Sequence, residues 1–187
     1  FILSDKKVIN EISSLTRGTT NNLPLKLLNE YRMPINKIPE EKIEEAMGNR
    51  RISREMALKI LFQVDLVHCN VDDASSYAFQ TEQIMQLNDP DAIIDFSLQL
   101  VRGVLSNLND IDPLIKEHAS HWTIERMANI DRNILRIAIY EIVFIENIPK
   151  SVSINEAVEL AKKYSTEGSF GFVNGVLGKI EKSNQSQ

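Results

Sequence analysis

Apolar residues recur at helical spacing along most of the chain after Arg50. Met56, Ile60, Leu61, Val64 and Val67 fall three or four apart, and Ala57 and Leu58 widen the stripe. That pattern predicts a first helix of a compact region, opening at Arg50. The polar stretch Asn70-Val71-Asp72-Asp73 interrupts it, and Tyr77, Phe79, Ile84 and Leu87 predict a second helix. Asp89-Pro90 is a start signal, Asp as cap and Pro at the first position. The third helix carries Ile93, Ile94, Phe96, Leu98, Val101, Val104 and Leu105, and Asp112-Pro113 repeats the start signal for a fourth. A fifth, from Ile130 to Ile145, is apolar on nearly every side, the mark of a helix surrounded by others, and Pro149 is expected to end it.

Ser153-Ile154-Asn155-Glu156 reads as a capping box, Ser first and Glu three later. It is expected to open a sixth helix that buries Ile154, Ala157, Val158, Leu160 and Ala161. Gly168 marks a break. A seventh helix runs from about Ser169 to Ile180 with Phe172, Val173, Val176, Leu177 and Ile180 inward. On it Gly175 and Gly178, three apart, would let another backbone approach. No strand-type alternation and no fixed-period repeat occurs. The fold class expected is all-α: a compact bundle of about seven helices with an N-terminal extension.

Residues 1–49 read differently. Asn21-Asn22-Leu23-Pro24, Met33-Pro34 and Ile38-Pro39 punctuate them, and Leu25, Leu27 and Leu28 make only short apolar pieces. Pro39 to Met47 suits a short helix, with Glu40 and Glu41 near its positive end and Gly48 as stop. Residues 1–49 are therefore expected to be a partly ordered arm, residues 50–182 the helical domain, and residues 183–187 a disordered tail.

The chain is 187 residues long, enough for one domain that buries a sizeable core without staples. Only 7 Gly and 6 Pro agree with a helical protein. Cys69 is the single cysteine, so no internal disulfide can form, and a reducing, cytoplasmic compartment is expected. No apolar run is long enough to span a bilayer, and Phe1 to Lys7 lacks the order of a signal peptide. Net charge is −5, against a general nucleic-acid binder. Residues 1–50 hold 8 basic and 7 acidic side chains, and residues 51–187 hold 13 and 19. Any RNA site must be a local basic patch on an acidic body.

One such patch is Arg50, Arg51 and Arg54, with Lys59 two turns on. At the start of a helix, positive charge opposes the dipole, so stability does not explain it. Free N–H groups there, joined by guanidinium forks, would suit phosphate. A solvated helix start explains the cluster equally well, and both readings stand. Phe170 and Phe172 stand beside a glycine break, with Tyr164 one turn earlier, and at least one of them is expected to line the packing between the last two helices. Phe172 fits the apolar face, while Phe170 fits it less well and is a candidate partner anchor or base-stacking ring. Catalytic patterns fail: His118 and His121 lack a ligand-spaced partner. Gly171, Gly175 and Gly178-Lys179 miss the spacing of a phosphate loop, and Ile180 stands where Ser or Thr is needed. Asp72-Asp73 and Glu40-Glu41 read as caps and solvated charge. No enzyme is expected, and no cofactor.

Several blocks resemble the NusB family. Arg50 to Gln63 is similar to the family's opening helix. Ile130-Asp131-Arg132-Asn133-Ile134-Leu135-Arg136-Ile137-Ala138-Ile139-Tyr140-Glu141-Ile142 is more specific, as are Ile148-Pro149, Val152 to Lys162, and Phe172-Val173-Asn174-Gly175-Val176-Leu177. They occur in the family's order over roughly residues 50–182. The resemblance implies an all-helical fold of two packed halves. It also implies a regulator of ribosomal RNA transcription that binds the boxA element of nascent RNA. The partner it implies is NusE, a small-subunit ribosomal protein, within an antitermination complex with RNA polymerase. By similarity Arg50, Arg51 and Arg54 match the Arg-rich segment used on RNA, and Glu125, Gly168 and Phe172 fall where the family contacts NusE or RNA. Gly168 departs from the acidic residue that other members can carry. Two alternatives remain: a NusB-like domain associated with an RNA methyltransferase, and a helical interaction module that forms a homodimer.

Overall fold

The computed structural model describes residues 40–120 and 122–183. Expectations for residues 1–39, 184–187 and His121 lie outside the described residues. Seven α-helices are present among the described residues: α1 (Glu40–Val67), α2 (Val71–Thr81), α3 (Pro90–Ser106), α4 (Leu108–His118), α5 (Asn129–Phe144), α6 (Lys150–Tyr164) and α7 (Ser169–Ser183). Short 3-10 turns at Ile84–Gln86 and Ile124–Arg126 bridge two of the connections. No strand occurs among these residues. The all-α bundle in two halves stands: α1 to α3 pack together, and α4 to α7 gather around α5.

Helix α5 is the centre, as its all-round apolar pattern predicts. Ile134, Leu135, Ile137, Ala138, Ile139 and Ile142 are all buried. The main core cluster runs through both halves, from Ala57, Leu58, Ile60 and Leu61 of α1 to Val173, Val176, Leu177 and Ile180 of α7. A smaller cluster of Met56, Ile84 and Ile93 sits beneath α2 and α3. Ile84 thus belongs to the 3-10 turn after α2 rather than to the helix itself. Val67, placed on the inward stripe by spacing, is exposed, because α1 ends there, just beyond Val64, the last of that stripe to pack on the core.

Several boundaries differ from those expected, each for a local reason. Helix α1 does not open at Arg50 but runs unbroken for 28 residues through Gly48. A single glycine costs a helix only about 1 kcal/mol, and the burial of Ala46 just before it favours continuation. Asn70 is a cap rather than part of a linker: its side chain accepts from the Asp73 N–H at 2.8 Å, and Asp72 and Asp73 occupy the first turn of α2. Asp89 does cap α3, accepting from the Ala92 N–H at 3.3 Å, with Pro90 first. Pro113 does not start α4; it lies inside it. The carbonyl four residues back belongs to Asn109, which is exposed, so water can take the missing hydrogen bond.

The capping box is also overturned. Helix α6 opens at Lys150 behind Pro149, whose carbonyl accepts from the Val152 and Ser153 N–H groups. Ser153 lies inside the first turn, buried, and its Oγ has no partner. Pro149 does not end α5, which stops at Phe144. Gly168 does break the chain between α6 and α7, with φ of +96°, a conformation that L side chains rarely adopt. Ser165 and Ser169 on either side of it both donate to the carboxylate of Asp131 on α5, which fixes that turn against the central helix. Among the described residues no neighbouring atom lies within 4 Å of where a Cβ would stand at Gly175 or Gly178, so those glycines accommodate no backbone of these residues.

Candidate nucleic-acid interface

The arginine cluster lies in the middle of α1, not at a helix start. Its backbone N–H groups are therefore not those of a helix start, and any contact with an anion falls to the side chains. They divide sharply. Arg54 is 2% exposed. Its Nε donates to Glu141 Oε1 at 2.8 Å, and Glu141 on α5 is itself buried. Arg54, expected on the RNA site, is thus buried rather than on the surface. Arg50 sits with its guanidinium carbon 3.8 Å from the centroid of the Phe96 ring. Burial, then the nearby charge of Arg54, pulls its pKa down to about 10, so it remains a cation at neutral pH.

Arg51 is different. Its side chain is 61% exposed. It pairs two-pronged with Glu156 of α6, Nη2 to Oε1 at 2.8 Å and Nε to Oε2 at 3.2 Å. That hydrogen bond, then the charge of Glu156, raises its pKa. Glu156 is held from beneath by Arg54 Nη1 at 3.8 Å. A line of alternating charge thus runs from the core outward: Glu141, Arg54, Glu156, Arg51. Lys59 stands two turns on and pairs with Glu82 beyond α2. The structure does bring the four predicted cations to one stretch of α1, but only Arg51 and Lys59 are both on the surface side and ion-paired there.

Beside Arg51, α6 adds cations that sequence reasoning missed. Lys163 reaches both carboxylate oxygens of Glu55 at 2.8 Å, and Tyr164 donates to the same Glu55 at 2.8 Å. The hydrogen bond to Glu55 raises the Lys163 pKa, while burial first and then Glu55 raise that of Tyr164. The signal available was the pair Lys162-Lys163 at the end of a helix, which reads equally well as ordinary dipole compensation.

The residues expected to meet a protein partner gather at the start of α7 and the turn before α5. Phe172 packs on Trp122, ring centroids 5.9 Å apart, which ties the segment before Glu125 to α7. Trp122 is half exposed and is a further residue the sequence reading passed over. Phe170 is 42% exposed, one turn from the core-facing Val173. Glu125 lies on the surface in the 3-10 turn. A hydrogen bond from its own backbone and then one from Thr123 hold its carboxyl below the usual range. Gly168 starts the same face at its positive-φ turn. Among the described residues no helix is long and apolar enough to cross a membrane.

Comparison with known proteins agrees with this architecture. The NusB family model matches residues 51–182. The transcription antitermination protein NusB of Myxococcus xanthus is 42% identical over 134 residues, covering 72% of this chain and 95% of that protein. Its counterpart in Pelotomaculum thermopropionicum is 47% identical over 135 residues, 72% and 90% of the two chains. Among solved structures, T. maritima NusB superposes with a TM-score of 0.62 at 36% identity, over 71% of this chain and 90% of that one. A chain of the crystal structure of antitermination factors NusB and NusE in complex with dsRNA matches with a TM-score of 0.65 at 28% identity, over 73% and 98%. With the helical core matched from its first arginines to the last turn of α7, this chain belongs to the NusB family.

Proposed function

We propose that this protein is a transcription antitermination factor that binds boxA-type RNA of nascent ribosomal transcripts together with NusE, within the antitermination complex of RNA polymerase. The observation that carries this reading is the family match along residues 51–182, joined to a structural neighbour in which NusB, NusE and dsRNA occur together. It acts by binding alone, without catalysis, in the cytoplasm. Relatives carry the antitermination name, and nothing favours the methyltransferase-associated alternative.

On this reading Arg51 makes the direct phosphate contact, by two-pronged geometry that suits a phosphate as well as a carboxylate. Lys59 extends the row. Arg50 and Arg54 support it from below. Glu125, Phe170, Phe172 and the turn at Gly168, with Trp122 beside them, form the face offered to NusE. Exposed rings beside a rigid turn suit a protein anchor. The test is a salt titration of binding to boxA-type RNA and a scrambled control, with and without NusE. Sequence-selective binding strengthened by NusE is expected, with affinity falling as salt rises. Equal, weak binding to both RNAs with NusE present would remove the reading.

A further inference from the structure

A groove of about 340 Å³ runs between α1 and α6, lined by Arg51 and Glu55 from one helix and by Glu156, Glu159, Lys162 and Lys163 from the other. Its three cations each face a carboxylate. Arg51 pairs with Glu156, Lys163 with Glu55, and Lys162 with Glu159 at 2.7 Å. The two pairs that cross between the helices are lopsided. The side chains of Arg51 and Lys163 are 61% and 56% exposed, whereas those of Glu156 and Glu55 are only 14% and 18% exposed. The carboxylates are sunk and anchored, Glu156 by Arg54 and Glu55 by the Tyr164 hydroxyl. An approaching anion therefore meets the cations first. The pair with Glu156 uses the Nε and one Nη2 hydrogen of Arg51, two of the five donors a guanidinium carries.

We propose that this groove is a phosphodiester-binding site continuous with Arg51, in which Lys163 is a direct contact and Glu55 and Glu156 set the affinity by competing with RNA phosphate for the two cations. The proposal rests on the RNA-binding reading above and deepens it. Matched charge leaves the groove with three cations and three carboxylates, so the free protein offers an anion little long-range attraction. Binding instead proceeds by exchange of partner at short range. This fits a chain whose net charge is −5 and whose RNA affinity must come from a few local contacts.

The experiment uses the full chain and a labelled boxA-type RNA oligonucleotide in a potassium chloride series, with NusE present throughout. Glu55→Gln and Glu156→Gln keep shape and a hydrogen-bond acceptor while removing the charge. Each is expected to tighten binding about two- to fivefold, the range of an exposed ion pair. Lys163→Ala is expected to weaken binding and to flatten the salt slope by about one phosphate contact. It should also abolish the gain from Glu55→Gln in the double variant, because that gain acts through Lys163. Thermal melts identify any loss due to unfolding, and Glu55→Gln, whose carboxylate pairs with Lys163 and Tyr164 whereas that of Glu156 meets buried Arg54, carries the test if Glu156→Gln is unstable. If Lys163→Ala and Glu55→Gln leave affinity and slope unchanged while Arg51→Ala weakens binding, RNA touches the groove only at its Arg51 edge and the proposal fails alone. Weaker binding by Glu55→Gln would overturn it as well. If the unaltered chain with NusE binds no RNA, the underlying reading fails and takes the proposal with it.

Discussion

At the scale of single residues, one arginine of the cluster belongs to the fold and its neighbour to the surface. Arg54 and Glu141 are a buried pair, and removing one partner strands the other's charge in a low-dielectric interior. Arg54→Ala should therefore cost about 3–5 kcal/mol of stability, read as a lower denaturation midpoint. Joint replacement by Met and Leu should recover most of it. An Arg54→Ala protein as stable as the parent would show that the pair is not closed in solution. Any loss of RNA binding in that variant must be judged against its melt. The cluster itself was legible in the sequence as three arginines. Its division was not, because Glu141 and Glu156 lie 87 and 105 residues from Arg54 and Arg51, and no local pattern reports such a pairing. The charge states give a second expectation. Arg51 and Lys163 have raised pKa values and Arg50 titrates at about 10. A base whose folded pKa is raised keeps its partner below the ordinary value and loses it only as pH climbs through the folded one, so these contacts persist well into alkaline solution. RNA affinity at fixed salt should be flat between about pH 6 and 9. A step near pH 6.5 would implicate a histidine instead.

Helices were legible where burial is one-sided and periodic, and their ends were misread where two signals compete. α3 begins at Asp89-Pro90 as read because cap and proline agree. α6 begins three residues before its apparent capping box because Pro149 supplies a start of its own and Ser153 is claimed by the core. α1 passes through Gly48 because neighbouring burial outweighs one glycine. Contact between helices is less readable still. Gly103 of α3 faces α5, and a Cβ built there would fall 2.0 Å from Cζ of Tyr140, whose ring stacks on Phe144 at 5.5 Å. Gly103→Ala should destabilise by about 1–3 kcal/mol through overpacking. In a Tyr140→Ala background the same change should cost far less, and equal costs in both backgrounds would mean that the two helices do not touch there.

At the scale of the whole molecule, the two halves are joined along α1 and α5 by charge as well as by the core. Toward the end of α1, Asp65 accepts from Arg132 and lies 3.8 Å from Arg136, which also holds Asp112 of α4 through two bonds of 2.8 and 2.7 Å. Asp65→Ala leaves two mostly buried arginines short of a partner and should cost about 2–4 kcal/mol. Because one core cluster spans both halves, urea unfolding should keep its slope while its midpoint falls. A reduced slope would mean that the halves come apart separately. The central place of α5 could be read from its composition, since a helix apolar all round has nowhere else to go. The polar seam could not, since its arginines and aspartates look like ordinary surface residues until their partners are placed.

The unbroken run of α1 has one more consequence. A 28-residue helix is about 42 Å long, and its stretch from Ile52 to Asp65 is packed against the rest of the bundle. Its first ten residues continue the same axis without a break, and the burial of Ala46 shows that packing reaches them as well. Because no helix break separates Glu40 from Arg51, a displacement of the first turn is carried along one hydrogen-bonded rod to the row of cations.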